Sequence, residues 1–148
     1  MITTYDFDDG NGPVPAHQHP NGGGWVADTA TVAETAYVGP KARVYGDARV
    51  YGDAQVYGNA RVFGTARVLG DAQVSGTARV FSDAWVFDDA QVFDNARVYG
   101  DARVFDNTFV FGHARVFGKA RVFGNARVFS DARVFGTARV YGDQELSK

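Results

Sequence analysis

Among the side chains able to do chemistry this chain has three histidines, twelve arginines and seventeen acidic groups, and there is no cysteine. Without cysteine, disulfides and thiolate-bound metals are excluded. His17 and His19 form a His-x-His in the N-terminal segment. Alternate residues of an extended stretch share a side, so both rings can meet one metal ion, with Asp6, Asp8 or Asp9 adding a carboxylate. Zinc takes three or four ligands, and the two histidines are read instead as packing or hydrogen bonding within the cap, so no metal or cofactor is assigned. His113 stands in the pair Gly112-His113. A general base needs a positioned partner and exclusion of water. No loop near His113 in sequence can build a pocket, so no catalytic residue is assigned.

The frame that positions these groups is a six-residue repeat. Val occupies every sixth position from Val26 to Val140, twenty times without a slip. Four residues after each Val the residue is Ala, from Ala30 to Ala138, with Thr108 as the exception. The consensus is Ala-Arg-Val-Phe/Tyr-Gly-Asp. Val and Ala, two apart, share one side of a strand, and Arg and the aromatic share the other. The last two residues are turn formers, so each unit is a short strand and a corner. One unit cannot bury its Val alone, whereas stacked coils can.

The residue before Val shows how many units make a coil. Gln55, Gln73 and Gln91 are eighteen apart, as are Arg43, Arg61, Arg79, Arg97, Arg115 and Arg133. Eighteen residues per coil means three units, three faces and a triangular cross-section, with six to seven coils. At the corners Gly stands first or Asp/Asn second, which points to backbone turns using positive φ. Glu34-Thr35 and Pro40-Lys41 depart from that rule, marking a capping first coil. Residues 1–24 lie outside the repeat as an N-terminal capping segment, 25–143 form the solenoid without extruded loops, and 144–148 form a short tail.

These units, and the start Gly23-Gly24-Trp25-Val26, resemble the bacterial and phage hexapeptide-repeat superfamily, in a subgroup labelled acyltransferases. The resemblance covers residues 26–143. It implies an all-β, left-handed parallel β-helix. It also implies a trimeric acyltransferase with a histidine general base and substrates held between subunits. His113 is the repeat's only histidine, and no spacing here matches the three-histidine metal site of the family's carbonic anhydrases.

The arginines all precede Val, and phosphates or bases could lie along them. Instead the guanidinium is expected over the ring two residues later, with corner aspartates cancelling its charge. With net charge −2, no nucleic acid partner is expected. The rings are expected to face water at nearly every unit, and exposed apolar surface marks an interface. The face with fewest charges carries Gln55, Tyr57, Gln73, Ser75, Gln91, Phe93, Phe109 and Phe111, and Arg127 is its one arginine. That face is the expected contact surface. The expected function is a rigid non-enzymatic scaffold or binding rod, part of a phage particle or surface assembly. It would self-associate as a trimer or, with little chain to cover the last coil, as an end-to-end dimer. An acyltransferase working at a subunit interface is one alternative. A carbohydrate- or ice-binding surface is another. No secretory signal, apolar span or membrane partner is read from the chain, so the expected location is cytoplasmic or virion-associated.

Overall fold

A strand residue, an inward Val and a two-residue corner repeat until the chain closes on itself every eighteen residues. The computed structural model describes residues 3–148, and its regular structure is all β. Strands β1 (Thr4–Asp6), β2 (Pro13–Gln18) and β3 (Trp25–Ala27) come first. Twenty two-residue strands follow at six-residue intervals, from β4 (Thr31–Val32) and β5 (Tyr37–Val38) to β23 (Glu145–Leu146). They lie in three sheets, here called faces one, two and three, which begin at β3, β4 and β5. Within each face every strand pairs in parallel with the strand one coil away, Arg79 opposite Arg97 and Val80 opposite Val98. The result is a parallel β-solenoid of seven coils. At about 4.8 Å between strands the rod is roughly 30 Å long.

The core is as uniform as the repeat. The valines from Val38 to Val128 are fully buried, and the alanines between them are equally inaccessible. Thr108 replaces one alanine in this dry interior. Its hydroxyl donates to the Phe105 carbonyl at 3.1 Å, which satisfies the buried polar group locally.

Main-chain bonds repeat with the same regularity. The residue before Val donates its N–H to the Ala carbonyl of the next coil, as in Arg43 to Ala60 at 3.1 Å, and the residue after Val donates to the next Val carbonyl; Thr108, Gln144 and Leu146 accept in the same way where they replace Ala or Val. Corner residues join the ladder too, with Asp47 N–H donating to Gly64 O at 2.8 Å.

Positive φ falls on the first corner residue whatever stands there: Gly at most corners, but Ser82, Asp88, Asp94, Asp106 and Ser130 at five. The second-position Asp and Asn do not take over that conformation, contrary to the expectation from their chemistry. Where Asp stands first, its carboxylate accepts a main-chain N–H from the next coil: Asp88 from Asp106, Asp94 from Gly112 and Asp106 from Gly124. That bond compensates for αL strain in a residue that already tolerates the region. Elsewhere Gly avoids both strain and crowding: a Cβ on Gly76 would lie 2.8 Å from Asp94 N. The first coil uses no positive φ at its corners. Pro40 could not adopt it, and Thr29 and Thr35 instead donate their hydroxyls to Gly46 O and Gly52 O.

The N-terminal segment extends face one and reaches across to face three. Strands β1 and β2 form an antiparallel hairpin, and β2 pairs antiparallel with β3. The chain then runs along β5, where Asn21 O accepts from Val38 N–H and Gly24 N–H donates to Val38 O. Gly24 permits that approach, since a Cβ there would sit 2.4 Å from Val38 Cγ1. At the other end Glu145–Leu146, read from sequence as tail, pairs with Arg127–Val128 as the last strand of face three. Leu146 takes the place of the missing Val.

Val92→Asp places an unpaired carboxylate at a site with no solvent access, at a cost of several kcal/mol. Gln91→Asp, on the outer side of the same strand, changes stability by about 0.5 kcal/mol or less. Urea denaturation of the two variants is expected to separate them clearly, and equal midpoints would reverse the inside-outside assignment.

Candidate functional site

The outer surface is built from columns, because each outward residue has its counterpart one coil away. The residues before Val form one column per face, and those after Val form another. On face one the rings of Tyr45, Phe63, Phe81, Tyr99, Phe117 and Phe135 stack with centroids 4.9–5.4 Å apart and planes within 12°. Face two carries Phe87, Phe105, Phe123 and Tyr141, and face three carries Phe93, Phe111 and Phe129.

Stacking covers the ring faces, so the rings do not stand free in water as the sequence suggested. Among the described residues only Phe135 and Tyr141, in the last coil, are exposed large hydrophobics, at 57% and 52%. The face-one ladder has a rung that the repeat does not announce. Ala27 occupies the ring position of the first coil, and Phe7 from the hairpin fills the gap, stacked on Tyr45 at 4.8 Å and buried. Tyr5 stacks on Trp25 beside it at 4.6 Å.

Arginines also meet rings differently from expectation. Their cation–π partners lie one coil away in their own column. Arg67 and Arg103 sandwich Trp85 at 5.1 and 4.8 Å, and Arg127 covers Phe109 at 5.3 Å. Arg43 lies over Tyr5 of the hairpin at 5.3 Å. In a parallel sheet the residue directly opposite is nearer than the one two positions along the strand. Nor do corner aspartates neutralise the arginines by contact. The two ion pairs among the described residues are Arg43 with Asp8 at 3.4 Å and His17 with Asp28 at 2.8 Å.

The histidines are held apart. His17 Nδ1 bonds the Asp28 carboxylate at an exposed position. His19 is buried, and its Nε2 lies 2.7 Å from Ala36 O. Along with the Asn21 amide, it satisfies a carbonyl at the edge of β5. The two rings therefore serve different faces of the first coil and do not converge. Asp6 and Asp9 accept main-chain N–H groups within the hairpin turn. No group of three or more His, Asp or Glu side chains able to hold a metal occurs among the described residues. His113 is an exposed corner residue whose N–H donates to Ser130 O. Its main chain does the structural work that any residue at that position would do.

Face three brings its expected contact residues together. Gln55, Gln73, Gln91 and Phe109 are consecutive members of one column. The Tyr57 hydroxyl is 3.1 Å from Gln73 Oε1, and Phe93 stacks on Phe111 at 4.9 Å while meeting Phe109 edge-on at 6.2 Å. The strip is continuous, flat and free of charge until Arg127. Among the described residues no helix is long and apolar enough to cross a membrane.

Two substitutions probe these assignments. Phe63→Ala removes a rung with stacked neighbours on both sides. It is expected to cost roughly 3 kcal/mol, from lost burial plus two ring contacts, read as a lowered unfolding midpoint. His113→Ala should change stability by less than about 1 kcal/mol, and a larger loss would mean that its ring has a partner.

The repeat itself has a counterpart among known families. The model of the YdcK beta solenoid repeat matches residues 42–55, 54–70 and 90–106. No curated protein and no solved structure matches the chain. The matched segments lie wholly within the seven-coil region, and with that geometry the chain is a hexapeptide-repeat-like β-helix.

Proposed function

We propose that this chain is a rigid, non-enzymatic β-solenoid rod that self-associates and acts as a structural scaffold. The observation that carries this reading is that outward groups recur in register at one-coil steps on flat faces. Catalysis calls for different groups converging on one point, whereas an array of repeated groups suits contact with another extended, repeating surface. The low-charge strip of Gln55, Tyr57, Gln73, Gln91, Phe93, Phe109 and Phe111 supports the same reading. It joins aromatic edges to uncharged amides, a composition found at protein interfaces.

Phe93→Arg combined with Phe111→Arg places charge in the middle of that strip. Light scattering at micromolar concentration should give a mass above 16.0 kDa for the wild type and a lower one for the double variant. A wild type of 16.0 kDa at all concentrations would remove the self-association reading. An acyl transfer activity lost on His113→Ala would remove the non-enzymatic one.

A further inference from the structure

One coil departs from the alternation of Asp and Arg. Residues 112–129 carry His113, Arg115, Lys119, Arg121 and Arg127 and no carboxylate. Residues 70–93 carry Asp71, Asp83, Asp88 and Asp89 against Arg79 alone. Charge is thus separated along the rod by about two coils, or roughly 10 Å.

The separation is concentrated where faces one and two meet. That corner reads Asp83, Asp101, Lys119 at one-coil steps, beside the face-two column Trp85, Arg103, Arg121. These six side chains line one shallow groove of about 340 Å³. None of the five charged ones makes an ion pair among the described residues. Trp85 is the one ring in a face-two column that otherwise runs from Thr31 through arginines, and it is half-buried between Arg67 and Arg103.

We propose that this groove docks a second copy of the chain laid antiparallel to the first. This rests on the self-association reading and adds a contact on a different face. A parallel neighbour in register would set Lys119 against Lys119 and Asp83 against Asp83. Turning the neighbour end for end sets Asp83 and Trp85 of each copy opposite Lys119 and Arg121 of the other, and brings Asp101 and Arg103 of both copies to the two-fold axis, where each carboxylate has the other copy's guanidinium diagonally beside it. The contact is then isologous and closes as a two-fold dimer. Both faces of Trp85 are covered by Arg67 and Arg103 of its own copy, so Arg121 of the other copy meets the outward edge of the indole, and Trp and Arg are residues that dominate interface energetics. The rigid coil holds both halves of the groove in place before contact, which limits the ordering cost of association.

Charge swaps test the arrangement. Lys119→Asp makes the corner column wholly acidic, and Asp83→Lys makes its two ends basic. In sedimentation velocity each variant alone is expected to lose mass relative to the wild type. An equimolar mixture should regain it, because each copy then meets its complement. High salt should weaken the wild-type contact severalfold, since exposed charges are screened. Circular dichroism of each variant checks that the coil is intact. Variants that assemble like the wild type would overturn this contact and leave self-association standing. A mass loss that the mixture fails to restore would point to an anionic ligand in place of a second copy, and would also overturn it. A wild type that sediments as a monomer at every salt concentration would remove both readings.

Discussion

Each coil hydrogen-bonds the next through N–H groups that reach the carbonyl seventeen residues ahead, as from Arg61 to Ala78 and Phe63 to Val80. This strict register is the constraint from which the rest of the molecule follows. It places every residue over the residue eighteen positions away. Along each column the inner valine meets another valine, with Leu146 replacing it only beyond Val128, so the core closes on Val and Ala without aromatic side chains. The same register makes the structure intolerant of a single inserted residue, since a slip would turn the inner set outward.

Outside the core, identical stacking is favourable for some residue types and costly for others. Rings gain from it, and the face-one ladder runs from Phe7 in the hairpin to Phe135 in the last coil. Charges lose from it, because like groups directly opposite one another repel. The acidic corners answer by turning Asp88, Asp94 and Asp106 onto main-chain N–H groups of the next coil. Face two answers with Trp85 between two arginines. Face three nearly dispenses with charge, using Gln55, Gln73 and Gln91. The three faces therefore differ in chemistry although their backbones are alike. A rod with distinct faces at a common spacing can contact several neighbours at once, which suits the scaffold reading that the in-register recurrence of outward groups carries.

The first coil shows how a repeating stack can begin. A bare strand edge exposes unpaired main-chain groups. The antiparallel hairpin covers β3, while His19, Asn21 and Gly24 satisfy Ala36 and Val38 along β5. Of the two histidines of the His-x-His, His19 is part of this edge-covering, while His17 bonds the Asp28 carboxylate. The His19 ring and the Asn21 amide both reach the Ala36 carbonyl.

The spacing of valines and the eighteen-residue sorting of Gln and Arg were enough to determine the coil, its three faces, the inward and outward sides and the membership of the low-charge strip. These follow from local periodicity, and periodicity is a property of sequence. Only the tertiary structure decided how outward groups pair. Arg103 could meet Phe105 in its own unit or Trp85 on the preceding coil, and the choice rests on a strand separation that no single unit contains. The covering of the rings likewise depends on neighbours eighteen residues away lying flat against each other. Phe7 as a rung of the ladder, and His17 and His19 facing different partners, depend on where a non-repeating segment folds back. No period encodes that path, because it is set by the vacant ring position at Ala27 and the open main-chain edges of the first coil.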